Sequence, residues 1–230
     1  MSRNHLGQPV GPDLDGWVPP SFPPRSSLHG ERVVVEPLQP ERHGPGLWAA
    51  MENAPVETWT YMNFGPFRDY QDFESTLRAI AEPDDWSAHA IVVDGQPQGF
   101  AAYLRIKPRD GVIEIGSIVF TPELQRTTPA TEAIYLMINN VFELGYRRCE
   151  WKCDALNEAS RRAALRLGFA YEGTFRQATH YKGRNRDTAW YAIIDQEWPH
   201  LAKAFTCWLA DENYDDQGRQ KTTIQEMRSK

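Results

Sequence analysis

Residues 157–169, NEASRRAALRLGF, say more about the fold than any other part of the chain. Asn157 is suited to cap the start of a helix and Gly168 to end one, because these residue types are favoured at those positions. The stretch therefore predicts a helix over Glu158–Leu167. A short strand is predicted before it, over residues 149–153.

A second helix is predicted upstream, where residues 125–133 read QRTTPATEA. Pro129 suits the first helical position, and Thr128 stands before it as a potential N-cap. Gly145 follows as a C-cap. We therefore expect a helix over residues 129–144.

The other predicted elements surround these two helices. Strands over 87–93, 99–106 and 112–120 are separated by short turns, which indicates an antiparallel meander. Further strands are predicted over 32–38, 169–178 and 188–194, and helical segments over 46–51, 69–82 and 196–209. This order predicts a mixed α+β fold, in which a mostly antiparallel sheet carries helices on both faces.

Both ends of the chain differ from the middle. Residues 1–27 are rich in proline, which hinders helices and sheet ladders, so they are predicted to form an arm. Trp17, Val18 and Phe22 suggest that part of this arm lies across the folded body. Residues 28–210 form the predicted domain, and the polar tail over 211–230 is expected to fray.

Composition excludes several functional classes. The net charge of −6 and the pI of about 5.6 argue against nucleic-acid binding, which needs a surplus of lysine and arginine. The three cysteines lack the spacing of a disulfide framework or a zinc site, so no metal is expected. No apolar run resembles a signal peptide or reaches the ~20 residues of a membrane span, so we expect a cytoplasmic protein without membrane contact.

Three features of the sequence resemble the GNAT superfamily of N-acetyltransferases, and in particular its RimJ/RimL-like branch. They are Glu114-Ile115-Gly116, the loop and helix start over residues 125–133, and Asn157-x-x-Ser160 followed by Gly168-Phe169. The resemblance implies the GNAT fold and an acetyl-CoA-dependent N-acetyltransferase. It also implies a primary amine as acceptor and, by analogy, a homodimer.

The resemblance places the cofactor at the starts of the two helices. Family members commonly have glycines in the loop before the first helix, whereas this chain has Gln125-x-x-Thr128-x-Ala130. A helix N-terminus still offers N–H groups and a partial positive charge to a pyrophosphate. The predicted cofactor-binding residues are Gln125, Arg126, Thr127, Thr128, Ala130, Thr131, Asn157 and Ser160. Helix capping explains Thr128 and Asn157 equally well without a ligand.

Amine acetylation needs a base, because a lysine-type amine with a pKa of ~10.4 is protonated at pH 7. Glu114 matches the strand position where several GNAT members keep a catalytic glutamate. His180 is the second choice, since a carboxylate that the RimL-like members have nearby is missing here. Ser160 matches a serine proposed to protonate the leaving thiolate. The alternatives are an ion-paired strand residue, a surface histidine and a helix-start serine, respectively.

The acceptor pocket is the least transferable part of the resemblance. We predict Trp59, Tyr61, Phe64 and Tyr181 as substrate-binding residues, although aromatic residues in such segments are also typical of the core. Lys182, Arg184 and Arg186 suit either a carboxylate or phosphate on the acceptor, or a solvated turn.

The predicted function is acetyl transfer from acetyl-CoA to a primary amine, on a small molecule or at a peptide or protein N-terminus, by direct attack. A catalytically weak acyl-CoA-binding or regulatory protein on the same fold is the alternative. A proline-rich interaction module is a third and weaker reading, because the usual context of such ligands is absent.

Overall fold

The computed structural model describes residues 2–83 and 85–229; Met1 and Lys230, the outermost residues of the predicted arm and tail, lie outside the described residues. The strands are β1 Ser2–Arg3, β2 Pro9–Val10, β3 Leu28–His29, β4 Val34–Pro37, β5 Ser87–Val93, β6 Gln96–Lys107, β7 Val112–Phe120, β8 Arg148–Asp154, β9 Ala170–Tyr181 and β10 Arg184–Ile194. The helices are α1 Pro40–Met51, α2 Tyr70–Ala81, α3 Thr128–Glu143, α4 Glu158–Leu167, α5 Trp198–Leu209 and α6 Ile224–Arg228. The predicted bounds of β5, β7 and α4 are confirmed.

Strands β3 to β10 form one sheet, in the order β3-β4-β5-β6-β7-β8-β10-β9. Neighbouring strands in it are antiparallel, except that β7 and β8 are parallel. The helices lie on both faces, so the predicted mixed α+β architecture is confirmed. β9 is an edge strand and reaches Tyr181, three residues beyond its predicted end.

β7 and β8 pair only at their beginnings. The pairing starts with Val112 opposite Arg148 and ends with Glu114 opposite Glu150. Beyond this point β7 continues to Phe120 and β8 to Asp154. Beyond the paired segment, the backbone N–H and C=O groups of β7 and β8 that face each other are not paired. In a regular sheet such groups pair between strands about 4.8 Å apart. We call this gap the strand opening.

Alternation along β8 divides its side chains between two environments. Cys149, Trp151 and Cys153 face the core beneath α3, α4 and α5. Glu150, Lys152 and Asp154 point to the other face of the sheet, because successive side chains of a strand alternate. A second core, under α1 and α2, covers that face toward β5 and β6 and reaches β7 at Val119.

Helix α1 is longer than predicted, since it begins at Pro40 rather than at residue 46. Its glycines and its internal proline lower its helix propensity, which hid the first turns. Packing explains them: a Cβ on Gly44 would lie 3.0 Å from the Tyr70 hydroxyl, and one on Gly46 would lie 2.7 Å from Cγ of Pro97. The small residues let α1 approach α2 and β6.

The predicted N-cap of α3 is wrong by one residue. Thr127 caps the helix: its Oγ1 accepts a hydrogen bond from the Ala130 amide at 3.3 Å. Thr128 is instead the first helical residue. Thr127 has the extended backbone conformation that a cap requires, with φ at −95° and ψ at 166°.

Both ends of the chain pack on the domain. Trp17 of the arm donates a hydrogen bond to the Gly145 carbonyl at 3.2 Å, as the predicted contact with the body requires. The expected fraying of the tail is wrong, because Ile224 is fully buried in the core beneath α5. A capping box between Thr223 and Glu226 starts α6, which a purely polar reading of the tail overlooks.

Candidate active site

Glu114 is the last residue of β7 that pairs with β8, so its side chain lies at the strand opening. It is buried, and its Oε2 accepts a hydrogen bond from Nζ of Lys152 at 2.9 Å. Nε of Arg105 lies 3.6 Å from the same oxygen. Glu114 is therefore ion-paired, as the alternative interpretation of the sequence expected. Its carboxylate is nevertheless buried, which is the setting in which a carboxyl group can act as an acid or a base.

Lys152 links Glu114 to a second carboxylate. Its Nζ lies 2.7 Å from Oε2 of Glu150, and Arg148 donates to Oε1 of Glu150 at 2.9 Å. Arg148 also donates to Oε1 of Glu172 at 2.7 Å. An ion network therefore runs across β7, β8 and β9 on the sheet face that the helices leave open.

The pKa values of the two buried carboxyl groups of this network, Glu114 and Glu150, are shifted in opposite directions. Burial raises the pKa of Glu114, and the nearby ammonium of Lys152 offsets only part of that effect. Burial would also raise the pKa of Glu150, but hydrogen bonds from Lys152 and Arg148 outweigh it and hold that pKa below its ordinary value. Glu114 is therefore the more basic carboxylate, and environments that separate two carboxyls in this way are typical of acid–base sites.

Trp190 of β10 forms a wall of the network. Nζ of Lys152 lies 3.8 Å from the centre of its ring, within the range of a cation–π interaction, and Phe175 packs on the ring at 4.6 Å. The indole Nε1 of Trp190 is buried and makes no hydrogen bond to any described residue.

The start of α4 brings Asn157 and Ser160 together. Oδ1 of Asn157 accepts a hydrogen bond from the Ser160 amide at 3.1 Å, as the predicted cap should. Oγ of Ser160 accepts a hydrogen bond from Nε1 of Trp151 at 3.0 Å. Ser160 keeps its own hydroxyl proton to donate, with the Cys153 thiol within its reach, and the side-chain amide nitrogen of Asn157 makes no hydrogen bond within the described part of the chain.

The loop before α3 has its own conformation without glycine. Arg126 adopts a left-handed φ of 65°, which a glycine more often provides. The backbone amides of Arg126 and Thr128 make no hydrogen bond to the residues described, while the side chain of Gln125 donates to the Phe120 carbonyl at 3.2 Å. Two free amides in a tight loop at a helix start form a concavity suited to an anion.

The threonine hydroxyls of this helix start are already engaged. Thr128 donates to the Tyr214 hydroxyl at 3.4 Å, and the Thr131 hydroxyl accepts from Arg166 at 3.1 Å. Ala130 contributes its amide to the cap at Thr127. The Thr127 and Thr128 hydroxyls are predicted to donate hydrogen bonds to the cofactor. To do so, they would have to give up hydrogen bonds that they make within the protein.

Acetyl-CoA fits these features in two respects. The strand opening offers unpaired backbone groups to a ligand that carries amides along an extended arm. The Arg126 and Thr128 amides and the N-terminus of α3 offer donors to its phosphates.

The predicted acceptor residues fall into two groups. Trp59 is only 3% exposed and packs at 4.9 Å on the ring of Phe67, and Phe64 belongs to the same core. Tyr61 lies near Tyr181, whose hydroxyl donates to Oδ2 of the buried Asp154 at 2.8 Å. Tyr61 and Tyr181 are therefore brought to the same end of β8, whereas Trp59 and Phe64 serve packing.

Burial, together with the bond to Asp154, raises the pKa of Tyr181 to about 12. This tyrosine therefore stays protonated at neutral pH. It orders the end of β9 beside the strand opening.

His180 is not brought to this site by any contact. It is exposed on β9, opposite Asn185, and its side chain makes no hydrogen bond or ion pair among residues 2–83 and 85–229. Tyr181, its neighbour in sequence, points to the opposite face of the strand.

Sequence reasoning missed Lys152 and Asp154. A signal for them exists in the alternation of Glu150, Lys152 and Asp154, which places all three on one face of a strand. Their partners Glu114 and Tyr181 come from distant parts of the chain, so the pairing itself has no local signature.

The described residues contain no group of three or more histidine, cysteine, aspartate or glutamate side chains that could hold a metal ion. None of the described helices is long and apolar enough to cross a membrane.

Comparison with known proteins identifies the family. A family model for the acetyltransferase (GNAT) domain matches residues 32–170. The chain is similar to the crystal structure of a GCN5-related N-acetyltransferase from Brucella melitensis, with 43% identity, a TM-score of 0.92, and coverage of 94% of this chain and 100% of the other. No curated protein matches the chain.

Two further structures are similar. A probable GNAT-family acetyltransferase from Chromobacterium violaceum ATCC 12472 shares 40% identity, with a TM-score of 0.80 and coverage of 84% of this chain and 98% of that one. The microcin C7 self-immunity acetyltransferase MccE, in complex with acetyl-CoA and AMP, shares the fold at 19% identity, with a TM-score of 0.64 and coverage of 72% and 93%. The family model covers more than half of the chain, and the Brucella relative nearly all of it, so this protein belongs to the GNAT acetyltransferase family and is an acyltransferase.

Proposed function

We propose that this protein transfers the acetyl group of acetyl-CoA to a primary amine, on a small molecule or at a peptide or protein N-terminus, by direct attack on the thioester. The observation that carries the proposal is the buried carboxylate of Glu114 at the strand opening. Acetyl-CoA is the acyl donor of GNAT acetyltransferases, and MccE supports the assignment because its complex contains that donor.

Glu114 is the proposed general base. An ammonium group must lose a proton before it can attack, and the raised pKa of Glu114 makes this carboxylate a better proton acceptor than an exposed one. Glu114 takes that proton directly or through one water. The bond from nitrogen to the acyl carbon then forms and the bond from that carbon to sulfur breaks, while a second proton passes from the nitrogen to the leaving thiolate, so that the products are the amide and the CoA thiol.

Ser160 is the proposed donor to the leaving thiolate. Its oxygen already accepts the indole N–H of Trp151, and its hydroxyl hydrogen, which also has the Cys153 thiol within hydrogen-bond reach, turns to the sulfur of bound CoA. The start of α4 adds a partial positive charge that favours the thiolate. Asn157, through its unbonded side-chain amide nitrogen, holds the pantetheine amides near Ser160.

Direct attack also agrees with the state of the cysteines on β8. Burial raises the pKa of both Cys149 and Cys153, so both remain thiols at neutral pH and are poor nucleophiles. A covalent acyl-cysteine route therefore has little support.

The first test is calorimetric titration with acetyl-CoA, CoA and a longer acyl-CoA, followed by thiol-release assays with a panel of amines. We expect micromolar binding, which corresponds to about −8 kcal/mol. Glu114→Gln should lower kcat severely at pH 7 while acetyl-CoA binding is retained. Glu172→Gln is the matched control, because Glu172 contacts Arg148 of the same network but is exposed and, among the described residues, forms no ion pair with Lys152.

Two results would contradict the proposal. Full activity of Glu114→Gln from pH 6 to pH 9 removes Glu114 as the base. Tight acyl-CoA binding, with no release of CoA thiol in the presence of any amine, favours instead a regulatory acyl-CoA-binding protein. The observation that favours this alternative is the ion pair with Lys152, which neutralises Glu114.

A further inference from the structure

Arg186 of β10 is a half-buried cation whose guanidinium contacts the ring of Tyr181 but has no anionic partner among the described residues. Its side chain makes no hydrogen bond or ion pair to any residue among 2–83 and 85–229, and its Nε is buried. Arg148 on β8 and Arg105 on β6, in contrast, contact Glu150 and Glu114, respectively. Because an unpaired buried donor costs about 1–3 kcal/mol, an anion that binds Arg186 would recover this loss.

The position of Arg186 connects it with the proposed acceptor side. Its guanidinium lies 5.8 Å from the ring of Tyr181, whose hydroxyl binds Asp154 at the end of β8. Thr188, two residues further along β10, pairs with Asp154, and Trp190 pairs with Lys152. One face of β10 therefore runs from Arg186 to the wall of the Glu114 network, about 13 Å away at ~3.3 Å per residue.

The same strand face holds a second unpartnered donor. Nε1 of Trp190 is buried and unbonded among the residues described, as is Nε of Arg186. Two such donors on one face, next to a proposed base, point to a polar ligand that lies along β10. A carboxylate or phosphate matches a guanidinium best, because it accepts two parallel N–H bonds.

We propose that the acceptor of this enzyme carries an anionic group, a carboxylate or a phosphate, that binds Arg186 while its primary amine reaches Glu114. This inference rests on the proposed function and names the class of its acceptor. The distance along β10 favours an elongated acceptor, such as a short peptide, over a single amino acid. Trp190 donates its indole N–H to a carbonyl between the two ends.

The turnover experiment compares matched acceptors that differ only in charge. Triglycine is paired with triglycinamide, and Gly-Gly-phosphoserine amide with Gly-Gly-Ser amide. The wild type should prefer the anionic member of at least one pair, and the pair concerned distinguishes carboxylate from phosphate. In Arg186→Gln the KM of that member should rise about tenfold or more with kcat retained, while the neutral member is unchanged.

Controls separate recognition from folding. Arg176→Gln removes an exposed charge from the adjacent strand and should leave the KM values as they are. Arg186→Lys keeps the charge and should retain part of the preference, so it serves if Arg186→Gln unfolds. Equal KM values within both wild-type pairs, or equal changes in both members in Arg186→Gln, would overturn the proposal.

A binding experiment is independent of turnover. Inorganic phosphate or acetate should raise the Tm of the wild type with saturation, and the rise should be lost in Arg186→Gln but kept in Arg176→Gln. If neither anion acts through Arg186, the anion site is refuted even in an active acetyltransferase. A wild type that binds anions at Arg186 but not acetyl-CoA would contradict the proposed function instead.

Discussion

The ammonium of Lys152 lies 2.9 Å from the carboxylate of Glu114, at the point where β7 and β8 separate. The two residues are 38 positions apart in sequence, and the parallel pairing of β7 with β8 brings them together. Lys152 contacts both Glu114 and Glu150, so it both orients the proposed base and sets its charge.

Replacing Lys152 by glutamine should shift the acidic limb of the pH profile of kcat/KM to higher pH. The ammonium favours the charged form of Glu114, so its loss leaves the pKa-raising effect of burial unopposed. The base would then be protonated over a wider range of acidic pH. Initial rates between pH 5 and pH 9 measure the shift, and an unchanged limb would show that Glu114 is not the titrating group.

Ser160→Ala should lower both stability and rate. It leaves the Nε1 donor of Trp151 unpaired, at a cost of about 1–3 kcal/mol in the free energy of unfolding. Trp151→Phe separates the two effects, because it removes that donor but keeps the Ser160 hydroxyl. Urea denaturation and kcat, measured on both variants, should show a rate loss in Ser160→Ala that Trp151→Phe lacks. Equal rates in the two variants would assign Ser160 a structural role alone.

His89 should make the protein less stable in acid. Burial lowers its pKa to about 4. The charge of Arg25 also lowers this pKa, and a hydrogen bond to the Ser87 carbonyl opposes the shift. The folded pKa is below the unfolded value of 6.5, so the stabilisation is present above pH 6.5 and is lost as pH falls toward 4. The loss is about 3 kcal/mol between pH 7 and pH 4.

His89→Asn removes this titration and keeps a side-chain donor for Ser87. We expect its free energy of unfolding to depend less on pH between 6.5 and 4 than that of the wild type. Chemical denaturation at several pH values gives both slopes. Parallel slopes would mean that His89 does not account for the acid sensitivity.

Ile224→Ala should destabilise the protein by about 2–5 kcal/mol, because the side chain is fully buried and its removal leaves a cavity. Gln225→Ala, at the exposed neighbouring position, should be nearly neutral. Thermal and urea unfolding compare the two variants. A small loss in Ile224→Ala would indicate that the tail contributes little to the fold in solution.

Local signals account for most of the fold. The bounds of β5, β7 and α4 follow from alternation, turn residues and caps that lie within or next to each element. The first turns of α1 could not be predicted in this way, because contacts of Gly44 and Gly46 with distant residues stabilise a segment of low helix propensity. The buried tail was missed for the same reason, since the core that covers Ile224 comes from distant elements such as α4 and α5.

The candidate site divides differently. Glu114, Asn157 and Ser160 could be named from the sequence because each matches a position of the family resemblance, and Asn157 also carries the local signal of a helix cap. No signal in the sequence shows whether an aromatic residue lines a pocket or packs in the core. Trp59 and Tyr61 are two positions apart, yet Trp59 is core and Tyr61 lies beside Tyr181.

The sequence by itself determined the order of β4 to β10 and of α1 to α5, the caps of α4 and the residues that carry the family resemblance, because these depend on residues near one another in the chain. Only the tertiary structure decided that Lys152 neutralises Glu114, that His180 is exposed and that the guanidinium of Arg186 has no anionic partner among the described residues. Charge pairing and burial depend on which strands become neighbours, and hydrophobic burial and backbone pairing over the whole chain select that arrangement.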